Sequence, residues 1–300
     1  MAAVLHAAYA RRMTAAFVFI GFGEAGAAFA GVAPARGYDL ATDDPARRSA
    51  KLDDFAGAGV AACDTAAEAL GGAHAILSLV TADQALIAAQ SAAPLLENGA
   101  LWLDMNSVAP DTKRAAAAAV EAAGGRYVDV AIMAPVHPAR QSVPLLVSGP
   151  HAEAGAALLA EIGFTNVTAI AGPVGAASSI KMIRSVMVKG LEALTAECFL
   201  AAHAAGVTEQ LLASLDAGGA GGGWAGKADY NLERMMVHGL RRAAEMEEVV
   251  KTLDALGTGS AMTRGTAERQ RAIGKLGLAA PEGLAAKLEM LGTYGKGEAA

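Results

Sequence analysis

The sequence predicts an α/β protein, with a mainly parallel sheet wrapped by helices in the N-terminal part and an all-helical C-terminal part. Three observations carry this expectation. Short apolar runs alternate with alanine-rich helical stretches from residue 16 to about 170. A glycine turn, Gly21-Phe22-Gly23-Glu24-Ala25-Gly26, directly follows the first of those runs. After "AIAGPVG" (169–175) the strand signals stop, and helical patterns fill the chain to Ala300. Alternation of the first kind builds parallel sheets covered on both faces.

Taken in order, the strand runs are "AFVFI" (16–20), "YDLAT" (38–42), "AILSLV" (75–80), "ALWLDM" (100–105), "RYVDVAIM" (126–133) and "PLLVSG" (144–149). Each is long enough for one buried strand and too short for a core helix. The last of them leave room for a strand of mixed direction. "AGAAFAGVA", "DTAAEAL" and "DTKRAAAAAVEAAGG" are the helices between; the last opens after Pro110 and stops at Gly124-Gly125. A long helix runs from Ser178 to Gly206, with Ile180, Ile183, Met187, Leu191, Leu194 and Cys198 spaced by threes and fours. That spacing makes an apolar stripe. The run "GGAGGGWAG" (218–226) breaks the pattern before helices resume at Asp229.

Composition narrows the function classes. With 300 residues, 54% hydrophobic and 18% charged, the chain has material for a large interior and is no disordered segment. A formal charge of −6 argues against nucleic acid and anionic lipid as partners, because phosphate neutralisation needs clustered Lys and Arg. Two distant cysteines, Cys63 and Cys198, make neither a disulfide framework nor a zinc site, so no metal is expected and a cytoplasmic setting fits. No apolar stretch is long enough to span a membrane. Residues 1–14 read as a tail, with Arg11 and Arg12 in the wrong order for a secretory signal and Met13 as a candidate natural start.

The glycine turn carries the chemistry. In a strand–turn–helix unit, Gly21 permits the tight turn, Gly23 lets the backbone approach a pyrophosphate, and Gly26 allows close packing. Amides of the helix start, from Phe22 to Gly26, then face the anion. Glu24 is out of place beside a pyrophosphate and is expected to point outward, towards the helix dipole. The same unit calls for an acid about 20 residues on, to hold the ribose hydroxyls. Asp43 is taken for that acid, which favours NAD; Arg47 and Arg48 nearby keep NADP as the alternative.

With these residues in hand, the chain resembles the β-hydroxyacid dehydrogenase family, relatives of 6-phosphogluconate dehydrogenase. The resemblance rests on "GFGEAG", "LDMNSVAPDTKR" (103–114), "YVDVAIMAP" (127–135), "PLLVSG" and "GPVGAASSIKMIRS" (172–185). It implies an N-terminal Rossmann domain over 15–172, then an all-helical domain over 173–300 that binds substrate and forms a homodimer through its long helix. It also implies NAD(P)-dependent interconversion of a hydroxyl and an oxo group on a small molecule. Lys181 corresponds to the catalytic lysine. Asn106 and Ser107 correspond to hydrogen-bonding positions near nicotinamide and substrate, and Val80 and Thr81 join the cofactor set. The departures are as clear. The substrate motif reads Asp129-Val130-Ala131-Ile132-Met133-Ala134-Pro135, without the usual serine and glycines, which leaves Met133 as the substrate-side residue. Arg184 and Ser185 stand where an asparagine is usual, and Glu245-Met246-Glu247 replaces Lys-Asp-Leu. This is the pattern of a divergent branch.

Lys181 has the chemistry that hydride transfer needs, since an alkoxide must take a proton and an alcohol must lose one. Arg184 lies one helical turn on, with Ser185 and Val188 on the same face, and suits either a depressed lysine pKa or an acidic substrate. Trp224 is a candidate to close over an apolar substrate, with plain packing as its other reading, and His137 is read as a loop histidine. Two further functions stay open: an imine reductase of the same architecture, against which Lys181 weighs, and a non-catalytic dinucleotide sensor.

Overall fold

A computed structural model describes residues 17–31, 33–217 and 223–295. The expected tail and most of the glycine run before Trp224 lie outside them. Two compact units result, one running to Lys181 and the other beginning at Met182.

The first unit follows the order β1 (Phe17–Ile20), α1 (Glu24–Phe29), β2 (Ala35–Tyr38), α2 (Pro45–Gly57), β3 (Ala61–Ala62), α3 (Ala66–Leu70), β4 (Ala75–Ser78), α4 (Ala85–Ala92), β5 (Leu101–Asp104), α5 (Pro110–Ala122), β6 (Arg126–Ile132), β7 (Leu145–Ser148), α6 (Ala152–Glu161) and β8 (Val167–Ala169). Its strands form one sheet in the order β3-β2-β1-β4-β5-β6-β7-β8. The first six are parallel, β7 runs antiparallel to β6, and β8 is parallel to β7. The order reverses between β1 and β4, which is where a doubly wound sheet opens a crevice at its strand ends.

Both faces of the sheet are buried, as parallel strands require. Side chains alternate across β1: Phe17 and Phe19 join Leu77, Leu103 and Val128 on one face. Val18 and Ile20 join Ile76, Trp102 and Tyr127 on the other. Helix ends follow local chemistry. Asp44 caps α2 by accepting the Ala46 amide (2.9 Å), and Thr65 caps α3 by accepting from Glu68 (3.1 Å). Pro110 opens α5, and Gly124, at φ +84°, follows its end.

Three strands depart from expectation. The second is Ala35–Tyr38 rather than 38–42, because the Asp39 carboxylate accepts the Ala41 amide (2.8 Å) and starts a 3-10 turn over Leu40–Asp43. Short β3 and β8 lie at the two edges, with no alternating apolar pattern to announce them.

The second unit is helical. α7 (Ala176–Ala204) begins in the first unit and continues into the second; α8 (Thr208–Ala217), α9 (Trp224–Ala255), α10 (Ala261–Lys275) and α11 (Leu284–Gly295) follow. Its core gathers Phe199, Leu232, Met235, Met236, Ile273, Leu288 and Leu291, with Met182, Met246, Val249 and Ala267 as a second cluster. α9 and α10 approach at glycine: a Cβ on Gly239 would stand 2.5 Å from the Gln270 carbonyl oxygen. On α7 the apolar stripe read from the sequence faces outward, and two charged residues lie on the buried side beside Met182 and Phe199. Ile183, Met187, Leu191 and Leu194 are 47–65% exposed, while Lys189 and Glu192 are buried. The buried pair is partnered: Lys189 donates to Glu245 (2.6 Å), and Glu192 accepts from Arg242 (3.0 Å to Nε) and Gln270 (2.8 Å). Burial holds the Lys189 ammonium below the usual lysine range despite the Glu245 carboxylate. No helix among the described residues is long and apolar enough to cross a membrane.

Candidate active site

The site is built at the C-terminal ends of β1, β4 and β5. Gly21 leaves β1 with φ +84° and donates its amide to the Tyr38 carbonyl (2.9 Å). A Cβ there would lie 2.6 Å from the Leu79 carbonyl oxygen and 2.7 Å from Val80 Cγ1, so the turn after β1 lies against the turn after β4. Only glycine fits. Gly23 is different: it is exposed, and nothing stands within 4 Å of its Cβ position. At Gly26 a Cβ would meet the Phe22 ring at 2.8 Å, so the third glycine makes room for an aromatic core residue. The turn thus has a backbone pinned at one end and open space over its middle, which fits the approach of a pyrophosphate.

Phe22 contributes backbone only. Its ring is buried and stacks on Phe55, with centroids 4.3 Å apart. Its amide donates to Asp39 (2.6 Å), and its carbonyl accepts from Lys51 (2.7 Å), which also pairs with Asp54 (2.8 Å). Glu24 is exposed in the first turn of α1, as expected, and Ala25 is half-buried.

Asp43 is not the acid at the end of the second strand. β2 ends at Tyr38, so the acid that follows it is Asp39, one residue on and already bonded to the glycine turn. Asp43 closes the 3-10 turn and accepts from the Tyr38 hydroxyl (2.6 Å). Burial, with help from that carboxylate, pushes the Tyr38 phenol up to about 12. Arg47 pairs with Asp44 (2.8 Å), and Arg48 with Asp64 (2.6 Å) and the Thr42 carbonyl (2.8 Å).

Asn106 is fixed on three sides. Its Oδ1 accepts the Val80 amide (2.7 Å), and its Nδ2 donates to Ser78 (3.0 Å) and Asp104 (2.8 Å). Thr81 is exposed and precedes a 3-10 turn over Ala82–Gln84. Ser107, half-buried, accepts a short hydrogen bond from the Lys181 ammonium. The sequence signals for Lys181, Asn106 and Ser107 therefore converge on one place, where an ammonium, a hydroxyl and an ordered amide meet at the crevice of the sheet. Met133, at the end of β6, is half-buried and donates its amide to the Pro144 carbonyl (2.9 Å).

A model of the NAD binding domain of 6-phosphogluconate dehydrogenase matches residues 16–171. The chain belongs to this family. The first unit is accordingly an NAD-binding domain of the 6-phosphogluconate dehydrogenase type, and the second carries a match to a domain of unknown function, DUF1932, over residues 202–273. A conserved hypothetical protein from Sinorhizobium meliloti 1021 is 39% identical, with 95% of this chain and 98% of that one covered, at a TM-score of 0.74. MTH1747, a conserved protein of unknown function described as structurally similar to 3-hydroxyacid dehydrogenases, is 27% identical over 88% of this chain and 99% of its own, at 0.66. Mycobacterium tuberculosis 3-hydroxyisobutyrate dehydrogenase, solved with L-serine, shares the fold at 18% identity, covering 92% and 98% of the two chains with a TM-score of 0.69. No curated protein matches the chain. Family, fold and the NAD(P) cofactor class all agree with the sequence reading.

Arg184, Ser185 and Trp224 belong to the second unit. Arg184 is exposed on α7, and Ser185 is buried. Trp224 opens α9, packs half-buried against the core of its unit, and carries the Lys227 ammonium 4.9 Å from its ring centroid. Sequence reasoning missed Asp39, Lys51 and Lys113. Asp39 was hidden inside a run read as strand, and both lysines lie in helices whose pattern announces solvent-facing charge.

Proposed function

We propose that the protein is an NAD(P)-dependent oxidoreductase that interconverts a hydroxyl and an oxo group on a small acidic metabolite. The observation that carries the proposal is the hydrogen bond from the Lys181 ammonium to Ser107, a residue of the NAD-binding domain. The nicotinamide, when bound, supplies or accepts the hydride. Gly21 to Gly26 would hold the pyrophosphate, and Asn106 with Val80 would border the ring. Lys181 Nζ gives a proton to the substrate oxygen during reduction and takes it back during oxidation, a role open to a lysine whose amine is aimed by a neighbour. Ser107 aims it. Arg184, one turn on from Lys181 along α7, is the proposed anion ligand, and Met133 is the proposed substrate-side residue of the first unit.

NAD is the proposed cofactor, with NADP as the alternative. Asp39 takes over from Asp43 as the ribose acid, and both nearby arginines are engaged by carboxylates. Asp39→Asn is expected to weaken NADH binding by about tenfold, the scale of one charge-assisted hydrogen bond, while Asp43→Ser leaves it within about twofold, as for other exposed polar changes. Fluorescence titration with NADH and NADPH measures both; the reverse ranking would return the role to Asp43.

A homodimer through α7 is proposed on the strength of its exposed apolar stripe, since contiguous patches of this kind mark interfaces. Size-exclusion chromatography with light scattering should give twice the 30.1 kDa chain mass. Met187→Asp with Leu191→Asp should give the single-chain mass.

The direct test of the reaction is incubation with NADH or NADPH and a panel of β-keto acids and cyclic imines, following nicotinamide absorbance. Oxidation of the cofactor with a keto acid is the expected result. Turnover of the imines alone would make the protein an imine reductase, and binding without turnover on any panel member would overturn the catalytic reading.

A further inference from the structure

Lys113 is fully buried although it is the fourth residue of an alanine-rich helix, α5. Its ammonium donates to the Asp104 carbonyl oxygen (2.6 Å) and to Asp104 Oδ1 (2.9 Å). It lies 3.4 Å from Asp129 Oδ1 and 3.5 Å from the Val130 carbonyl oxygen. Two carboxylates, both out of solvent, thus flank one cation.

Each carboxylate has a second task. Asp104 Oδ1 also accepts from the Asn106 backbone (3.0 Å) and side-chain amide (2.8 Å), and this decides that Asn106 turns its oxygen to Val80. The other oxygen of Asp104 accepts from the Tyr127 hydroxyl (2.6 Å). Asp129 Oδ2 accepts from Gly175 N, Ser178 N, Ser178 Oγ and Ser148 Oγ, all at 3.1 Å. It therefore caps the start of α7, one turn before Lys181. The first carboxylate sets the loop that presents Ser107; the second sets the helix that presents Lys181.

We infer that Lys113 is a positioning residue, the buried cation that holds the Asn106–Ser107 loop and the first turn of α7 in the register at which Lys181 meets Ser107. Its charge decides this. Without the cation, two desolvated carboxylates face each other, and at least one must take up a proton or draw in water. A carboxyl that does so is a weaker acceptor for the amides it now orders. The catalytic consequence rests on the proposed dehydrogenase reading; the register itself does not.

The test uses Lys113→Met in the full chain, with Asp129→Asn as the second variant. Hydrogen exchange read by mass spectrometry follows peptides over 104–108 and 175–181, with β1 and β2 as internal controls. Competitive acetylation across pH follows the Lys181 amine, with Lys51 as its control. In Lys113→Met both peptides should exchange about tenfold faster relative to the controls, which is the mark of local opening. The labelling midpoint of Lys181 should also move while that of Lys51 stays. Asp129→Asn should loosen 175–181 and leave 104–108 unchanged. Equal acceleration of every peptide would show plain loss of stability, and acceleration of only one of the two, or of neither, would show that Lys113 does not hold both segments; each overturns the inference. If Lys113→Met does not fold, Asp129→Asn decides: an unmoved 175–181 peptide overturns it. None of these readouts needs a substrate. A positive exchange result without turnover on any keto acid would leave the register standing and sink only the dehydrogenase reading.

Discussion

Lys181→Met should lower turnover by about 100-fold or more, the usual scale for a lost general acid or base, while NADH affinity stays within a few-fold. Methionine keeps the length of the side chain and the helix propensity of its position, so α7 has no reason to change. What disappears is the proton and the hydrogen bond to Ser107. A residue that touches the reacting oxygen in both directions must affect kcat rather than cofactor binding, because the stabilisation it supplies exists only as charge develops. Steady-state kinetics on whichever keto acid is turned over, beside a fluorescence titration with NADH, separates the two quantities. Wild-type kcat in the variant would remove Lys181 from the chemistry. A matched loss of affinity and rate would make it a binding residue instead.

Two glycine substitutions should behave in opposite ways. Gly21→Ala places a methyl in a left-handed backbone conformation, at about 1–2 kcal/mol, the usual cost for an L-residue there. The methyl also meets the backbone of Leu79 at 2.6 Å, and that contact cannot be relieved by rotating a side chain. Overpacking of this kind costs a further 1–3 kcal/mol or about that. Together these lower the melting temperature by roughly 5–15 °C in a unit of this size. Gly23→Ala meets nothing, so the melting temperature should stay near that of the wild type. Yet the same methyl occupies the open space over the turn, where the pyrophosphate is expected, and NADH affinity should fall by about tenfold or more. Calorimetry and titration on the two variants give a two-by-two outcome. If Gly23→Ala binds NADH as the wild type does, the cofactor does not lie over this turn.

Most of the sheet was legible in the sequence because its strands are buried on both faces and read as short apolar runs. β1, β4, β5, β6 and β7 all carry that signal. β3 is two residues of alanine and β8 is three residues at the sheet edge, so neither is long enough to show a period. The misplaced second strand has a more instructive cause. Tyr38 and Leu40 suggest a strand continuing through 42, but the side chain of Asp39 bonds its own backbone two residues ahead and ends it. That local competition ends the strand at Tyr38 and leaves Asp39, not Asp43, as the acid next to the strand end and the proposed ribose ligand.

The site was legible to the extent that it depends on backbone shape and on family motifs. Gly21, Gly23, Asn106, Ser107 and Lys181 fall where their neighbours predict. Phe22 shows the limit of such reasoning, since its place in the motif says nothing of a ring that stacks on Phe55 in the core. Lys113 shows it more sharply. In "DTKRAAAAAVEAAGG" two adjacent cations look alike, yet Lys113 turns into the sheet between two aspartates and Arg114 turns out to Asp111. Only the partners across the fold distinguish them, and those partners are 9 and 16 positions away in sequence. The stripe on α7 was visible as a period of threes and fours, but period alone does not say which way a helix faces. Here it faces outward, while the buried side carries the paired Lys189 and Glu192 between the apolar Met182 and Phe199.

A crystal structure of the protein with bound NADH decides whether the dinucleotide lies over the glycine turn with its ring toward Lys181. The pyrophosphate is expected over Gly21 to Gly26 and the nicotinamide ring beside Asn106 and Ser107. The Lys181 ammonium is expected within about 3–3.5 Å of a substrate oxygen held against the ring face, the range for a near-attack geometry. A dinucleotide bound elsewhere, or one bound as expected with Lys181 turned away from the ring, would contradict the dehydrogenase reading.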